Sequence, residues 1–209
     1  MSSENRSVQV VVADPSALGL LGLAIVTLVA SSQKFGLTNG VAFVIPWAIF
    51  LGAIAQLIAG IYDFSHNNLF GATVFSAFGL FWLGVAMSWM IKAGIFGPEL
   101  AKTTDMGQLG LAFFGYFIFA VIGTVVAMEA NFMLFLDMVV IDVLLFALAM
   151  DAFNMGAAWH TVAAVAEITI SMITFYLCAA NFINKSFHRE LVPVGKPLGI
   201  IKKGVPAAH

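Results

Sequence analysis

Between Pro15 and Ile183 the sequence is built from apolar blocks about twenty residues long, separated by breaks too short to fold on their own. That length spans the hydrocarbon core of a bilayer, about 30 Å at about 1.5 Å per helical residue. Membrane β-strands need only about 9 to 11 residues, so blocks of this size exclude a barrel and leave helices, whose backbone groups are satisfied within each segment. Only 10% of the residues are charged, where soluble domains carry about a quarter. The expected fold class is an all-α integral membrane protein, a six-transmembrane-helix bundle.

The breaks set the predicted spans at residues 15–32, 40–62, 69–91, 108–128, 132–152 and 159–183, forming a membrane domain over 13–184 with tails at 1–12 and 185–209. Asp14 and Pro15 suit the first helical turn, an acid at the positive helix end and a proline where a missing donor costs nothing. Residues 92–107 collect Gly94, Gly97, Pro98, Glu99 and Asp105 and read as the longest internal loop. With an even number of spans, both tails share a side that carries Arg6, Lys185, Arg189, Lys196, Lys202 and Lys203, against Lys34, Lys92 and Lys102 opposite. The positive-inside rule then puts both termini in the cytoplasm and the chain in the plasma or inner membrane. Nine Lys and Arg against eleven Asp and Glu leave no basic surface for nucleic acid.

Residues four apart on a helix lie nearly on one line, and the second span stacks Gly52, Gln56 and Gly60 in this way. The third repeats the device with Gly71, Phe75 and Gly79, flanked by Phe78 and Trp82. Two readings fit: a seam for close helix packing, or a narrow pathway with Gln56 as its polar contact, since an amide in hydrocarbon needs a partner.

Three stretches resemble the acetate and succinate transporters, also called succinate-acetate permeases. The family opens on Asn-Pro-Ala-Pro-Leu-Gly-Leu, and Asp14, Pro15, Ser16, Ala17, Leu18, Gly19 and Leu20 stand in that place. Gly52, Ala55, Gln56, Ala59 and Gly60, followed by Asn68, Phe70, Gly71, Phe75, Gly79, Phe81 and Trp82, resemble its second and third helices. Phe187, Arg189, Pro193 and Gly195 resemble its C-terminal segment. The resemblance implies a homo-hexamer and a route through each protomer for acetate and related small carboxylates. Family members are either proton-coupled symporters or anion channels. It also implies a constriction at positions matching Leu23, Phe78 and Asp142. Three residues depart from the family pattern: Asp14 replaces an Asn at the mouth, Leu23 a Phe, and Asp142 an apolar gate.

Carboxyls inside the spans are the remaining candidates, because a charge at mid-bilayer costs about 2.5 to 3.5 kcal/mol and usually faces a cavity. Asp142 is central in the fifth span, and Asp137 points about 140° away from it. Glu167 lies roughly 10 Å into the sixth span, a depth at which it could meet Asp142 and share a proton. Asp142 and Glu167 are therefore the proton-coupling candidates, while Asp137 and Asp151 read as interfacial or inter-protomer groups. His66, His160 and His188 fall at helix ends and His209 in the tail, without the spacing of metal ligands. With no phosphate loop and no nucleophile beside a base, neither a catalytic residue nor a cofactor is expected. The predicted pathway joins Asp14, Pro15, Leu18, Gly19, Leu20, Leu23, Gln56, Phe75, Phe78 and Trp82, and would serve small monocarboxylates or succinate, with protons as co-substrate. The alternative is a passive anion or neutral-solute channel gated by dewetting at an apolar neck.

Overall fold

The computed structural model describes residues 12–201. Arg6, Lys202, Lys203 and His209, which entered the reading of the tails, lie outside the described residues. Six helices are long and apolar enough to cross a membrane: α1 (Ser16–Lys34), α2 (Val44–Ser65), α3 (Leu69–Lys92), α4 (Met106–Ala127), α5 (Phe132–Ala152) and α6 (Ala158–Ser186). A short helix, Pro98–Lys102, sits in the long loop. The protein is thus an all-α, multi-pass membrane bundle.

Side chains from the polar breaks start the helices. Asn68 accepts from Gly71 N at 3.2 Å, Asp105 from Gly107 N at 2.8 Å and Asn131 from Leu134 N at 2.9 Å. Each satisfies one of the donors that a first turn leaves unpaired. Helix ends drift from the predicted positions where polar residues continue a helix. α1 runs on to Lys34, and within it the hydroxyls of Ser31 and Ser32 find partners in Leu28 O and Val29 O of the preceding turn. α2 begins at Val44, not Gly40, since Val41 O accepts from Val44 N and Ile45 N in a turn that precedes the helix. Within α2 the residues Ala48–Ala55 form a π-helical stretch that ends against Gln56, a departure often found near functional sites.

Each helix packs on its neighbours in sequence, and α6 closes the ring on α1. The sparsest backbone contact in this ring is between α3 and α4, where large rings hold the two backbones apart. Phe81 lies 4.9 Å from Tyr116 and 5.8 Å from Phe113 by ring centroids, and Phe78 lies 6.1 Å from Phe119. Tyr116 fixes this joint by donating to Ala77 O at 2.9 Å. Beyond α6 the chain turns back across the start of α5: Asn184 accepts from Leu191 N and Val192 N, Leu198 N bonds Met128 O, and Ile201 N bonds Glu129 Oε1. Glu129 is thus a tether for this segment.

Candidate functional site

The end of the bundle that holds the described termini is closed by a charged mouth. Asp14 Oδ1 accepts from Ser16 N at 2.9 Å, joining the carboxylate to the positive end of α1, and Lys185 of α6 donates to Oδ2. Burial pushes the Asp14 carboxyl up, but the bonds from Lys185 and Ser16 outweigh it and hold the group below its ordinary value of 3.8. The negative charge that the sequence put in an anion's way is therefore compensated by a cation and a helix end. Pro15 is buried beside it, whereas Leu18 turns outward, 40% exposed.

Farther in, the small residues of α1, α2 and α3 let the three helices touch. A methyl group on Gly19 would stand 2.6 Å from the Phe75 ring, one on Gly22 2.3 Å from Leu51 O, and one on Gly60 2.2 Å from Ser76 Oγ. The stripe is a packing seam, the first of the two readings. Gln56 is buried within it and donates to Gly52 O of its own helix at 2.8 Å. Leu20, Leu23, Phe78 and Trp82 are all buried, and Leu23, Phe78, Phe81 and Ile141 belong to one apolar cluster contributed by α1, α3 and α5. This cluster is packed apolar core, to which α2, α4 and α6 also contribute.

On the opposite side a cavity of about 150 Å³ opens between α1, α3, α4, α5 and α6, lined by Gln33, Lys34, Phe81, Trp82, Leu144 and Glu167 among others. It adjoins a larger one of about 420 Å³ under the 92–106 loop, with which it shares Ser88, Trp89, Met106 and Leu109. In the smaller cavity Lys34 Nζ donates to Glu167 Oε2 at 2.7 Å, and the side chains are only 12% and 3% exposed. Trp82 also lines it, and its Nε1 is buried without a hydrogen-bond partner among the described residues. A buried ammonium lining a mainly apolar cavity is a group to which a small carboxylate can bind.

The remaining carboxyls sit elsewhere. Glu167 meets Lys34 and not Asp142, which instead accepts from Thr124 Oγ1 of α4 at 2.8 Å. Leu144 and Leu148 are the α5 residues that line the cavity, and at 100° per residue Asp142 points about 160° and 120° away from them. Asp137 also departs from its expected interfacial place: it is 2% exposed and bonds Thr174 Oγ1 of α6 at 3.2 Å, inside the protomer. Asp151 bonds the His160 ring at 3.1 Å. Lys34 was missed because it closes an apolar block and reads as a turn residue. The available signal was a lone cation at the C-terminal end of α1 and a lone acid inside α6, since buried charges occur in pairs.

The protein-family model described as the GPR1/FUN34/yaaH family matches residues 2–194. The chain is 30% identical over 186 residues to the succinate-acetate/proton symporter SatP of Escherichia coli K12, covering 88% of this chain and 96% of that one. Against acetate permease A of Emericella nidulans it is 34% identical over 136 residues, 59% of this chain and 45% of the other. The solved structure of the bacterial acetate channel SatP superposes with a TM-score of 0.82 at 24% identity, over 88% of this chain and all of that one. Six apolar helices in a closed ring and a family match over nearly the whole length lead to one conclusion: the chain belongs to the GPR1/FUN34/yaaH family.

Proposed function

We propose that the protein carries acetate and related small monocarboxylates, or dicarboxylates such as succinate, across the plasma or inner membrane together with protons, along a route inside each protomer of a homo-hexamer. Both termini face the cytoplasm in this reading. The observation that carries it is the cavity in which Lys34 and Trp82 offer donors to a carboxylate beside a buried carboxyl, Glu167. The route runs from the Asp14 and Lys185 mouth past Leu20 and Leu23, between Phe78 and Trp82, to that cavity. Ions cross a low-dielectric neck only at high cost, so an anion and a proton that pass together, or a neutral acid, avoid the penalty. Of the two proton-coupling candidates, Glu167 lines the cavity and carries the proton, while Asp142 serves the contact between α4 and α5.

A second reading is supported by the name of the structural relative, an acetate channel: a passive pore whose apolar neck gates by dewetting. Uptake of labelled acetate into proteoliposomes separates the two. Saturable flux that follows an imposed proton gradient supports symport, ohmic single-channel current supports the pore, and no movement of acetate overturns both.

A further inference from the structure

Lys34 and Glu167 form a buried pair whose two charges cancel, and Trp82, which lines the same cavity, has a buried indole N–H without a partner among the described residues. A carboxylate entering as a bare anion would leave this mainly apolar space with a net negative charge, which a low dielectric penalises heavily. Neutrality is kept only if one proton arrives with each anion. We propose that the cavity is an exchange site for one small carboxylate and one proton: Glu167 takes the proton and releases Lys34, whose ammonium then binds the substrate carboxylate, with Trp82 Nε1 donating the second hydrogen bond.

This inference rests on the transport reading above and deepens it. The exchange balances: an ammonium–carboxylate pair plus a proton and an anion become an ammonium–anion pair plus a neutral carboxyl, and no bond other than O–H forms. Glu167 does not need to leave the cavity, because a protonated carboxyl can still donate or accept a hydrogen bond there. The other charged groups of the packed helices are engaged elsewhere. On α5, Asp137 bonds Thr174, Asp142 bonds Thr124 and Asp151 bonds the ring of His160, the titratable neighbour on α6 itself. On α1 the cation is Lys34, and Lys92 of α3 lines the adjoining larger cavity. Glu167 and Lys34 are the ionisable side chains lining the smaller space.

The test measures binding of labelled acetate to the purified full chain between about pH 6 and pH 8, together with proton uptake in weak buffer. The wild type takes up one proton per acetate, and its affinity falls about ten-fold per pH unit on the alkaline side. Glu167→Gln, a neutral stand-in for the protonated acid, binds acetate without proton uptake, with a flat pH profile, and at least ten-fold more tightly than wild type at pH 8. The double variant K34M/E167Q removes both charges together, so its folding does not suffer an orphaned ion, and it loses acetate binding at least ten-fold while remaining monodisperse. Retained proton uptake in E167Q, or wild-type affinity in the double variant, overturns the exchange site. If both variants behave like a wild type that still moves acetate, the site is wrong and the transport reading stands; a wild type that moves no acetate ends the transport reading itself.

Discussion

Gly52 is where α2 passes directly against Trp82, and it offers the sharpest perturbation of the cavity. A methyl group at this position would lie 2.8 Å from Trp82 Cγ and 3.1 Å from both its Cβ and Cδ2. Carbon atoms rest about 3.5 to 4.0 Å apart, so the Gly52→Ala substitution forces a displacement of about 0.7 to 1.2 Å. The clash falls on the stem of a rigid ring, which cannot swing a flexible tip aside. Phe81 stands edge-on to Trp82 at 5.5 Å and Trp89 at 6.5 Å, so the ring has little room to yield. Overpacking of this kind costs about 1 to 3 kcal/mol, or about 2 to 12 °C in melting temperature for a chain of this size. The same shift misdirects the Nε1 donor and lowers acetate affinity about ten-fold, the worth of one hydrogen bond. Fluorescence-detected size-exclusion after heating gives the first quantity, and labelled-acetate binding the second. In the double variant G52A/W82A, which lacks Cγ and Cδ2, the two losses of stability are less than additive, but the affinity is not regained. Wild-type melting and binding in Gly52→Ala, or fully additive losses in the double variant, would refute the claim that α2 sets the position of Trp82.

Three other outcomes follow from the charged groups. Lys34→Met alone leaves Glu167 charged and unpaired inside the bundle and destabilises by about 3 to 5 kcal/mol; adding Glu167→Gln restores most of the melting temperature. Asp14 is held below its ordinary value of 3.8, so its contribution to stability is present above that pH and is lost as the pH falls through its lowered titration. Melts taken downward from about pH 5 therefore show an acid-side loss in the wild type that Asp14→Asn flattens. Asp142→Asn keeps proton-driven acetate uptake within about two-fold of wild type, since an amide oxygen still accepts from Thr124 and the residue lies off the cavity; abolished coupling in this variant would move the proton site from α6 to α5.

The spans could be read from the sequence because bilayer thickness dictates how many apolar residues stand in a row. The helix starts after Asn68 and Asn131 were legible because side chains that interrupt an apolar run are the same ones that cap a first turn, whereas α4 starts at Met106 on the Asp105 cap and not at the expected residue 108. What each helix faces was not legible. In a soluble helix the buried side is the apolar side, but lipid is as apolar as the protein interior, and the stripe that marks a core disappears. Asp142 at the centre of α5 therefore looked like the residue facing the route, while Leu144 and Leu148, which line the cavity, were indistinguishable from residues facing lipid. Gln56 drew attention as a lone amide, yet its partner is a carbonyl on its own helix, a local solution that spacing does not reveal. The Lys34 and Glu167 pair depends on α6 closing the ring against α1, a contact between residues 133 apart in sequence.

The central claim is that a small carboxylate occupies the inside of each protomer at the Lys34 and Trp82 donors. Anomalous diffraction from crystals of the full chain grown with bromoacetate locates the anion directly. The account predicts one bromine peak per protomer, in the cavity between α1, α3 and α6, and its disappearance in K34M/E167Q. Bromine found only between protomers, or within the Gln56 seam with that cavity empty, would contradict it.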